Sequence, residues 1–376
     1  MKKIIKKILI VSLLFFSFVY FSVSFKSFIF LLISIIILSS FLIFIEKINK
    51  NFLLFYFTFL ISIVLSEIFL KLEFNKIFET NEKVNANKKV IAFDNFKYER
   101  TYLGNQLEKG TYNHYKKKGD KFIFNENYYV NQNNFRSNQL IKNNETKILT
   151  ASFFGGSDVF GWGLSDKKTL PYLFYEKNKQ FNIFNYGMIG GSINQTLEMI
   201  KKNNDYLGDV NIVVTSSYQL PRIACNRDYS FNAPVYEMNE QKLKFSGYCF
   251  FSFLKLKFQA PRIIGSIINR SELVKLLNNV FSKEYTKKNI RDYLGILNET
   301  NSIVKNNNKK LVILYYGSNK ILDKKIKEYM LEYKIPHIDV SLYDKKFYIK
   351  HDKHFNKLAY EMWLEKLSKY LIATKL

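Results

Sequence analysis

Residues able to carry out acyl transfer stand in two short segments that lie far apart in the chain. An apolar run ends in two glycines followed by Ser157, and Asp352 and His354 lie close to the last residue. A serine hydroxyl is a weak nucleophile by itself, so an imidazole must take its proton and a carboxylate must orient that imidazole. The sequence therefore predicts Ser157 as nucleophile, His354 as base and Asp352 as orienting acid, with His351 as an alternative base.

The elements that must position these residues alternate between strand and helix from about residue 146 onwards. The residue patterns predict strands at 147–154, 181–185, 210–215, 311–316 and 337–340, and helices at 168–177, 192–203, 289–306, 320–333 and 356–371. Strands joined by helical crossovers form a parallel sheet with helices on both faces. Ligands bind beyond the carboxyl ends of such strands, so Ser157 and His354 are expected at one edge of the sheet.

Three motifs connect this pattern to a known family. They are Gly-Gly-Ser at 155–157, Asn-Tyr-Gly-Met-Ile-Gly-Gly at 185–191 and Asp-Lys-His-Phe-Asn at 352–356. In this order they resemble the SGNH (GDSL-like) hydrolases, specifically the branch tethered by N-terminal transmembrane helices. The resemblance covers about residues 146–376 and implies an α/β fold, a flavodoxin-like three-layer sandwich. It also implies catalysis by Ser157, His354 and Asp352, with Gly190 in the oxyanion hole, and it implies no cofactor.

The third sequence block departs from the family pattern. The family has Gly-x-Asn-Asp or a similar segment after the third strand, whereas this chain has Ser-Ser-Tyr-Gln-Leu-Pro-Arg at 216–222. Because no asparagine is present, Gln219 is the predicted stand-in for the oxyanion donor, with Ser217 as a second possibility. Gly156 stands where the family usually has an aspartate. The acid and base are also spaced Asp-x-His, rather than the Asp-x-x-His of many secreted members.

Apolar runs near the N-terminus predict an all-α membrane anchor over residues 1–74. The runs cover about 8–25, 28–45 and 52–70, and each has the length needed to cross a bilayer core of about 30 Å. Lysines before the first run and between the second and third predict an N-terminus inside and a catalytic part outside the cytoplasmic membrane. A cleavable signal peptide is an alternative interpretation of the first run.

Two further segments surround the predicted catalytic domain of residues 146–376. Residues 75–145 are rich in Asn, Lys and Tyr, and they are predicted to form a linker and a small β-rich extension. Residues 221–271 form a predicted insertion, because that stretch is too long for an ordinary connection. Cys225 and Cys249 lie inside it, either as a disulfide or as two separate buried thiols, and they cannot build a metal-ligand cluster.

Composition narrows the functional classes. The formal net charge is +25, but the lysines are dispersed, so a nucleic-acid partner is not expected; anionic glycans or lipid headgroups could still be attracted. The motifs and the anchor together predict a serine esterase that acts on O-acyl groups of envelope glycans or lipids, alongside envelope biosynthesis proteins. Alternatives are an O-acyltransferase that uses the same triad and a non-catalytic SGNH-fold protein that binds glycan or serves envelope assembly.

Overall fold

In the computed structural model of this protein, the described residues are 90–138, 140–144, 146, 149–225, 231–251, 254–260, 287–317 and 320–374. The predicted membrane spans at 8–25, 28–45 and 52–70 lie outside these ranges. Within the ranges, no helix combines the length and the apolar character of a membrane-crossing segment.

The described strands and helices are numbered here in chain order. Strands β1 to β13 cover Val90–Asp94, Tyr98–Thr101, Gly104–Leu107, Gly110–Lys118, Lys121–Val130, Leu149–Gly155, Phe181–Gly187, Val210–Thr215, Pro234–Asn239, Lys242–Phe251, Leu254–Leu256, Lys310–Tyr315 and His337–Asp339. Helices α1 to α7 cover Ser157–Phe160, Leu170–Lys177, Ile193–Lys202, Leu220–Ile223, Lys287–Asn306, Lys320–Glu332 and Lys357–Ala373. Short 3₁₀ turns cover Asp166–Lys168, Asn204–Tyr206, Ser217–Gln219 and Lys345–Phe347.

The main sheet has five strands in the order β13-β12-β8-β6-β7. Every neighbouring pair in it is parallel. All residues of β8 are buried, as expected for a strand covered on both faces. Strand β7 is added on one side of β6 and β8 on the other, so the strand order reverses between β6 and β8. Such a switch point creates a crevice at the carboxyl ends of the two strands, where ligands bind in sheets of this kind.

Helices cover both faces of this sheet, so the domain has three layers. One hydrophobic cluster joins α2 and α7 to side chains such as Phe153 and Ile212. The second cluster joins α3, α5 and α6 to side chains such as Phe154 and Val213. Because side chains alternate along a strand, Phe153 and its neighbour Phe154 enter opposite layers. The predicted α/β fold with a parallel sheet is confirmed.

The segment before β6 forms small antiparallel sheets. Strands β1, β4 and β5 make one sheet, in the order β1-β4-β5, and β2 pairs with β3. Strand β5, the longest described strand of the extension, pairs with β4 over most of its length. Strand β4 was missed, because its polar residues lack a clear apolar alternation.

The long excursion after β8 forms a third antiparallel sheet, in the order β11-β10-β9. Cys225 and Cys249 form a disulfide across 24 residues of sequence, which decides between the two alternatives. The backbone N–H of Cys225 also donates to the carbonyl of Arg222 at 3.1 Å. The disulfide therefore ties β10 to the segment that leaves the main sheet after β8.

Candidate active site

The Ser157 hydroxyl is positioned by a tight turn at the end of β6. Ser157 is the first residue of the short helix α1 and is only 6% exposed. Gly155 allows the turn, because a Cβ atom there would lie 2.9 Å from the carbonyl oxygen of Val214 and 2.8 Å from the side chain of Val159. Any larger residue at position 155 would push β6 away from β8 and displace the serine.

Asp352 and His354 lie in a loop that is closed on itself before α7. The backbone N–H of Ile349 donates to the carbonyl of His354 at 2.8 Å, and that of Asp352 donates to the carbonyl of Ile349 at 2.8 Å. His351 completes the turn with φ of 60°, a conformation that few non-glycine residues adopt. Asn356 then caps α7 by accepting from the N–H of Ala359 at 3.2 Å, so the loop is fixed at both ends.

The structure brings Ser157, His354 and Asp352 into one chain of hydrogen bonds. His354 Nε2 lies 2.9 Å from Ser157 Oγ, and His354 Nδ1 lies 2.6 Å from Asp352 Oδ1. The side chain of His354 keeps 28% of its surface exposed, against 7% for Asp352. The imidazole can therefore exchange protons with a bound molecule while the carboxylate stays shielded. His351 is not in this chain; its Nε2 lies 3.5 Å from Lys118 Nζ.

The second oxygen of Asp352 has a cationic partner from the β-rich extension. Lys116 in β4 donates from Nζ to Asp352 Oδ2 at 2.8 Å. Burial raises the pKa of Asp352, but hydrogen bonds from His354 and Lys116 outweigh burial and hold the pKa well below its usual value. Asp352 is therefore an anion at any neutral pH, which is the form that can orient an imidazole.

The ring of Trp162 packs against the imidazole of His354. The ring of Trp162 lies with its centroid 5.4 Å from that of His354 and 4.1 Å from that of His114. Burial lowers the pKa of His114 to about 4, and Nδ1 of His114 lies 3.0 Å from the Tyr128 hydroxyl. His114 is thus a neutral packing group near neutral pH, and it holds Trp162 against the imidazole.

Buried polar contacts anchor helix α1 at both ends. The Tyr316 hydroxyl donates to Asp158 Oδ2 at 2.6 Å, and the Tyr360 hydroxyl donates to the carbonyl of Asp158 at 2.8 Å. After the helix, Arg136 donates to the carbonyls of Phe160, Gly161 and Leu164 and to Asp166, at 2.7 to 3.0 Å. These bonds fix the segment that carries both Ser157 and Trp162.

The two residues predicted for the oxyanion hole do not line the cleft at Ser157. Gln219 is buried, and its Oε1 accepts from the N–H of Ile193 at 2.8 Å and from Thr215 Oγ1 at 3.1 Å. Its carbonyl oxygen therefore anchors helix α3 to β8. Gly190, with φ of 70°, belongs to the turn before α3. The hydroxyl of Ser217, the second possibility, donates to Asp323 Oδ1 at 2.6 Å. An oxyanion role for Gly190 and Gln219 stays a prediction.

The buried guanidinium of Arg222 lies beside Gly156, the residue that precedes Ser157. A Cβ atom on Gly156 would be 3.1 Å from Arg222 Nη1 and 3.0 Å from the carbonyl of Gly191, and that Nη1 donates to the same Gly191 carbonyl. The guanidinium carbon also lies 4.7 Å from the ring centroid of Tyr218. Gly156 therefore leaves room for a cation where the family pattern has an aspartate.

Two residues around this site were missed by the sequence reasoning. Lys116 carries no motif, and a chain with 57 lysines and arginines gives no reason to select it. Arg222 had a signal, because it is the only charged residue in the altered third block. Arg222 belongs to the site because its guanidinium lies close to Gly156, and the sequence alone does not show this proximity.

The cleft above Ser157 is mostly aromatic. It has a volume of about 300 Å³. Its lining joins the serine and the imidazole to residues that follow β8, β12 and β13: Ser157, Asp158, Tyr218, Tyr316, Gly317, Tyr343, Tyr348, Lys353, His354 and Phe355. Among the described residues, no group of three or more His, Cys, Asp or Glu side chains is arranged to hold a metal ion. The arrangement can activate the serine hydroxyl and hold a small ester next to it.

Comparisons with known proteins concern the fold of this chain. No protein-family model matches the sequence, and no curated protein matches it. One similar solved structure is that of a protein from Desulfitobacterium hafniense DCB-2 assigned to the lipolytic G-D-S-L family. It shares 10% sequence identity with this chain, the match covers 59% of this chain and 98% of that one, and the TM-score is 0.35. Another is a member of the lipolytic protein G-D-S-L family from Veillonella parvula DSM 2008, with 10% identity, 58% and 96% coverage, and a TM-score of 0.30.

Proposed function

We propose that this protein is a serine esterase in which Ser157 is the nucleophile, His354 the base and Asp352 the orienting acid. The observation that carries the proposal is the continuous relay from Ser157 Oγ to His354 Nε2 at 2.9 Å and from His354 Nδ1 to Asp352 Oδ1 at 2.6 Å. These distances are within the range in which a proton can pass between the groups.

The proposed reaction proceeds through an acyl-enzyme. Ser157 Oγ attacks the ester carbonyl while its proton passes to His354 Nε2, and the anionic Asp352 stabilises the imidazolium that forms. Collapse of the tetrahedral intermediate breaks the bond to the alcohol, which takes the proton from His354. Water then attacks the acyl-enzyme with His354 as base, and the acid and the free serine are released.

Stabilisation of the oxyanion is usually the largest single contribution to lowering the activation free energy of acyl transfer. Removing one such donor costs about 3–4 kcal/mol of transition-state stabilisation in a serine hydrolase. The backbone N–H of Ser157 is the proposed donor at the cleft. Gly190 and Gln219 are donors that the family resemblance implies, and they do not line the cleft in this structure. The Arg222 guanidinium, which lies close to the position of a Gly156 Cβ, adds positive charge on the side where the third-block asparagine is missing.

We propose O-acyl groups of envelope glycans or lipids as substrates, at the outer side of the cytoplasmic membrane. The predicted anchor and its lysine distribution support this location, and so does the Cys225–Cys249 disulfide, because disulfides persist in oxidising compartments. Envelope biosynthesis proteins are the proposed partners. If a sugar hydroxyl instead of water resolves the acyl-enzyme, the same triad performs O-acyl transfer.

Kinetics of triad variants test the esterase. We expect the purified full-length chain to hydrolyse 4-nitrophenyl acetate, with kcat lowered by about 10³-fold or more in Ser157→Ala and in His354→Ala, since the triad acts as a unit. Ser302→Ala, a serine on α5 whose hydroxyl bonds the carbonyl of Asn298, is the matched control and should retain full activity. Equal activity of folded Ser157→Ala and wild type would refute the proposal and favour the non-catalytic alternative.

A further inference from the structure

A second, larger cleft adjoins the aromatic one, with a volume of about 920 Å³. Among the residues that the structure describes, its lining comes from the loop between Lys345 and Lys353. Tyr348 and Lys353 line both clefts, so the two form one continuous surface. We call the larger one the lysine cleft. The aromatic cleft at Ser157 and the lysine cleft therefore meet at Tyr348 and Lys353.

The lining of the lysine cleft has a clear excess of positive charge. Its charged members are four lysines and one aspartate: Lys345, Lys346, Lys350, Lys353 and Asp352. The aspartate is not available to neutralise the lysines, because its oxygens already accept from His354 and from Lys116. Lys118 lies 3.5 Å from His351 at the same loop and adds a further positive charge.

Only one of the four lysines, Lys346, forms an ion pair with a residue that the structure describes. Lys346 has Asp344 at 3.5 Å, whereas Lys345, Lys350 and Lys353 form no ion pair with any residue that the structure describes. All four lysine side chains are exposed. Lysine ammonium groups held close together repel one another, and an anion that bridges them removes that repulsion while receiving charge-assisted hydrogen bonds.

We propose that the lysine cleft binds an anionic group, a phosphate or a carboxylate, carried by the same glycan whose O-acyl ester reaches Ser157. The ester end occupies the aromatic cleft, where tyrosine and phenylalanine rings can pack on sugar faces, and the charged end lies among the lysines. The inference rests on the proposed esterase function and makes its substrate an anionic glycan. It assigns the loop of residues 345–353 both a catalytic and a recognition role.

The experiment compares two substrates that differ only in charge. One is an O-acetylated disaccharide and the other is the same disaccharide with one phosphate monoester. We expect wild-type protein to favour the phosphorylated ester in kcat/KM by about 10-fold at low salt. Raising the ionic strength to about 0.5 M should shrink this preference, since the lysines are exposed and therefore screened.

Charge-matched variants separate the lysine cleft from the general basicity of the chain. The test variant is Lys345→Gln/Lys346→Gln/Lys350→Gln, and the control is Lys305→Gln/Lys324→Gln/Lys325→Gln, which removes the same charge from exposed positions on α5 and α6. We expect the preference for the phosphorylated ester to fall to about 2-fold in the test variant and to persist in the control. Equal loss in both variants would overturn the proposal.

A binding measurement keeps the inference separate from the esterase proposal. Calorimetry with Ser157→Ala should detect the phosphorylated disaccharide and not the neutral one, and the test variant made in that background should lose the signal. If the neutral ester is hydrolysed but no phosphate preference or binding appears, the lysine cleft is refuted and the esterase stands. If anionic phospholipid vesicles bind and the phosphorylated disaccharide does not, the glycan assignment is refuted in favour of a lipid.

Discussion

The hydroxyl of Ser157 is hydrogen-bonded to a histidine 197 positions further along the chain, the proposed base His354. The imidazole is useful only if it is held in one orientation, and here three groups hold it: Asp352 at Nδ1, Trp162 on one ring face, and the closed loop that carries it. Two of those supports depend on the β-rich extension, since Lys116 bonds Asp352 and His114 packs on Trp162. In the proposed esterase, the extension therefore helps to position the catalytic imidazole.

Lys116 is a hydrogen-bonding partner of Asp352, the carboxylate that orients the imidazole. We expect Lys116→Met to lower kcat/KM by about 10-fold, because Asp352 loses one of its hydrogen-bonding partners and moves more freely. Lys116→Arg keeps a charged donor towards Asp352 and should retain most of the wild-type kcat/KM. An equal loss in both variants, or no loss in Lys116→Met, would contradict this role.

His114 makes stability depend on pH. Burial lowers its pKa to about 4 in the folded protein, from an ordinary value of 6.5. Between these values the unfolded chain binds more protons, so the contribution is complete above pH 6.5 and is lost as the pH falls towards 4. Denaturant unfolding should show a loss on the order of 3 kcal/mol across this range. His114→Gln should flatten that part of the curve; an unchanged slope would show that another group titrates.

The element with the greatest influence on the site is the short helix α1 with the segment that follows it. A helix of four residues has almost no stability of its own, so tertiary bonds must fix it. Arg136 supplies most of them from a position before β6, and its side chain is fully buried. The tight turn at Gly155 and the tyrosine bonds to Asp158 fix the other end.

Loss of Arg136 should therefore affect both stability and rate. We expect Arg136→Met to lower the free energy of unfolding by about 3–5 kcal/mol, because three carbonyls and Asp166 lose their donor. Arg291→Met, at an exposed arginine on α5, should change it by less than about 0.5 kcal/mol. Denaturant titration of both variants gives the comparison, and a loss below about 1 kcal/mol for Arg136→Met would contradict this role.

At the scale of the whole molecule, the layered α/β domain follows from the sequence because its strands are short apolar runs separated by amphipathic helices. Strand β8 was predicted at its observed ends, and most other elements differ by one or two residues. The extension was harder to predict, since β4 and β5 carry polar and basic residues whose pairing partners are not local. The disulfide could be suggested from spacing but not decided, because pairing depends on how β10 folds back.

The residues of the candidate site that lie in local sequence motifs were predicted, and those outside such motifs were not. Ser157, Asp352 and His354 stand in recognisable contexts, and the fold brings them together. Lys116 contacts Asp352 from 236 positions away, and Arg222 approaches Gly156 only because α4 packs beside the turn. Long-range contacts of this kind leave no periodic signal, so they became visible only in the folded chain.

Covalent labelling by a fluorophosphonate probe tests the central claim most directly, because the probe reacts only with a serine that a neighbouring base has activated. We expect one adduct per full-length chain, mapped by peptide mass spectrometry to Ser157, and no adduct in folded Ser157→Ala or His354→Ala. A folded wild-type chain that stays unlabelled beside a reactive serine esterase, or one labelled at a different serine, would contradict it.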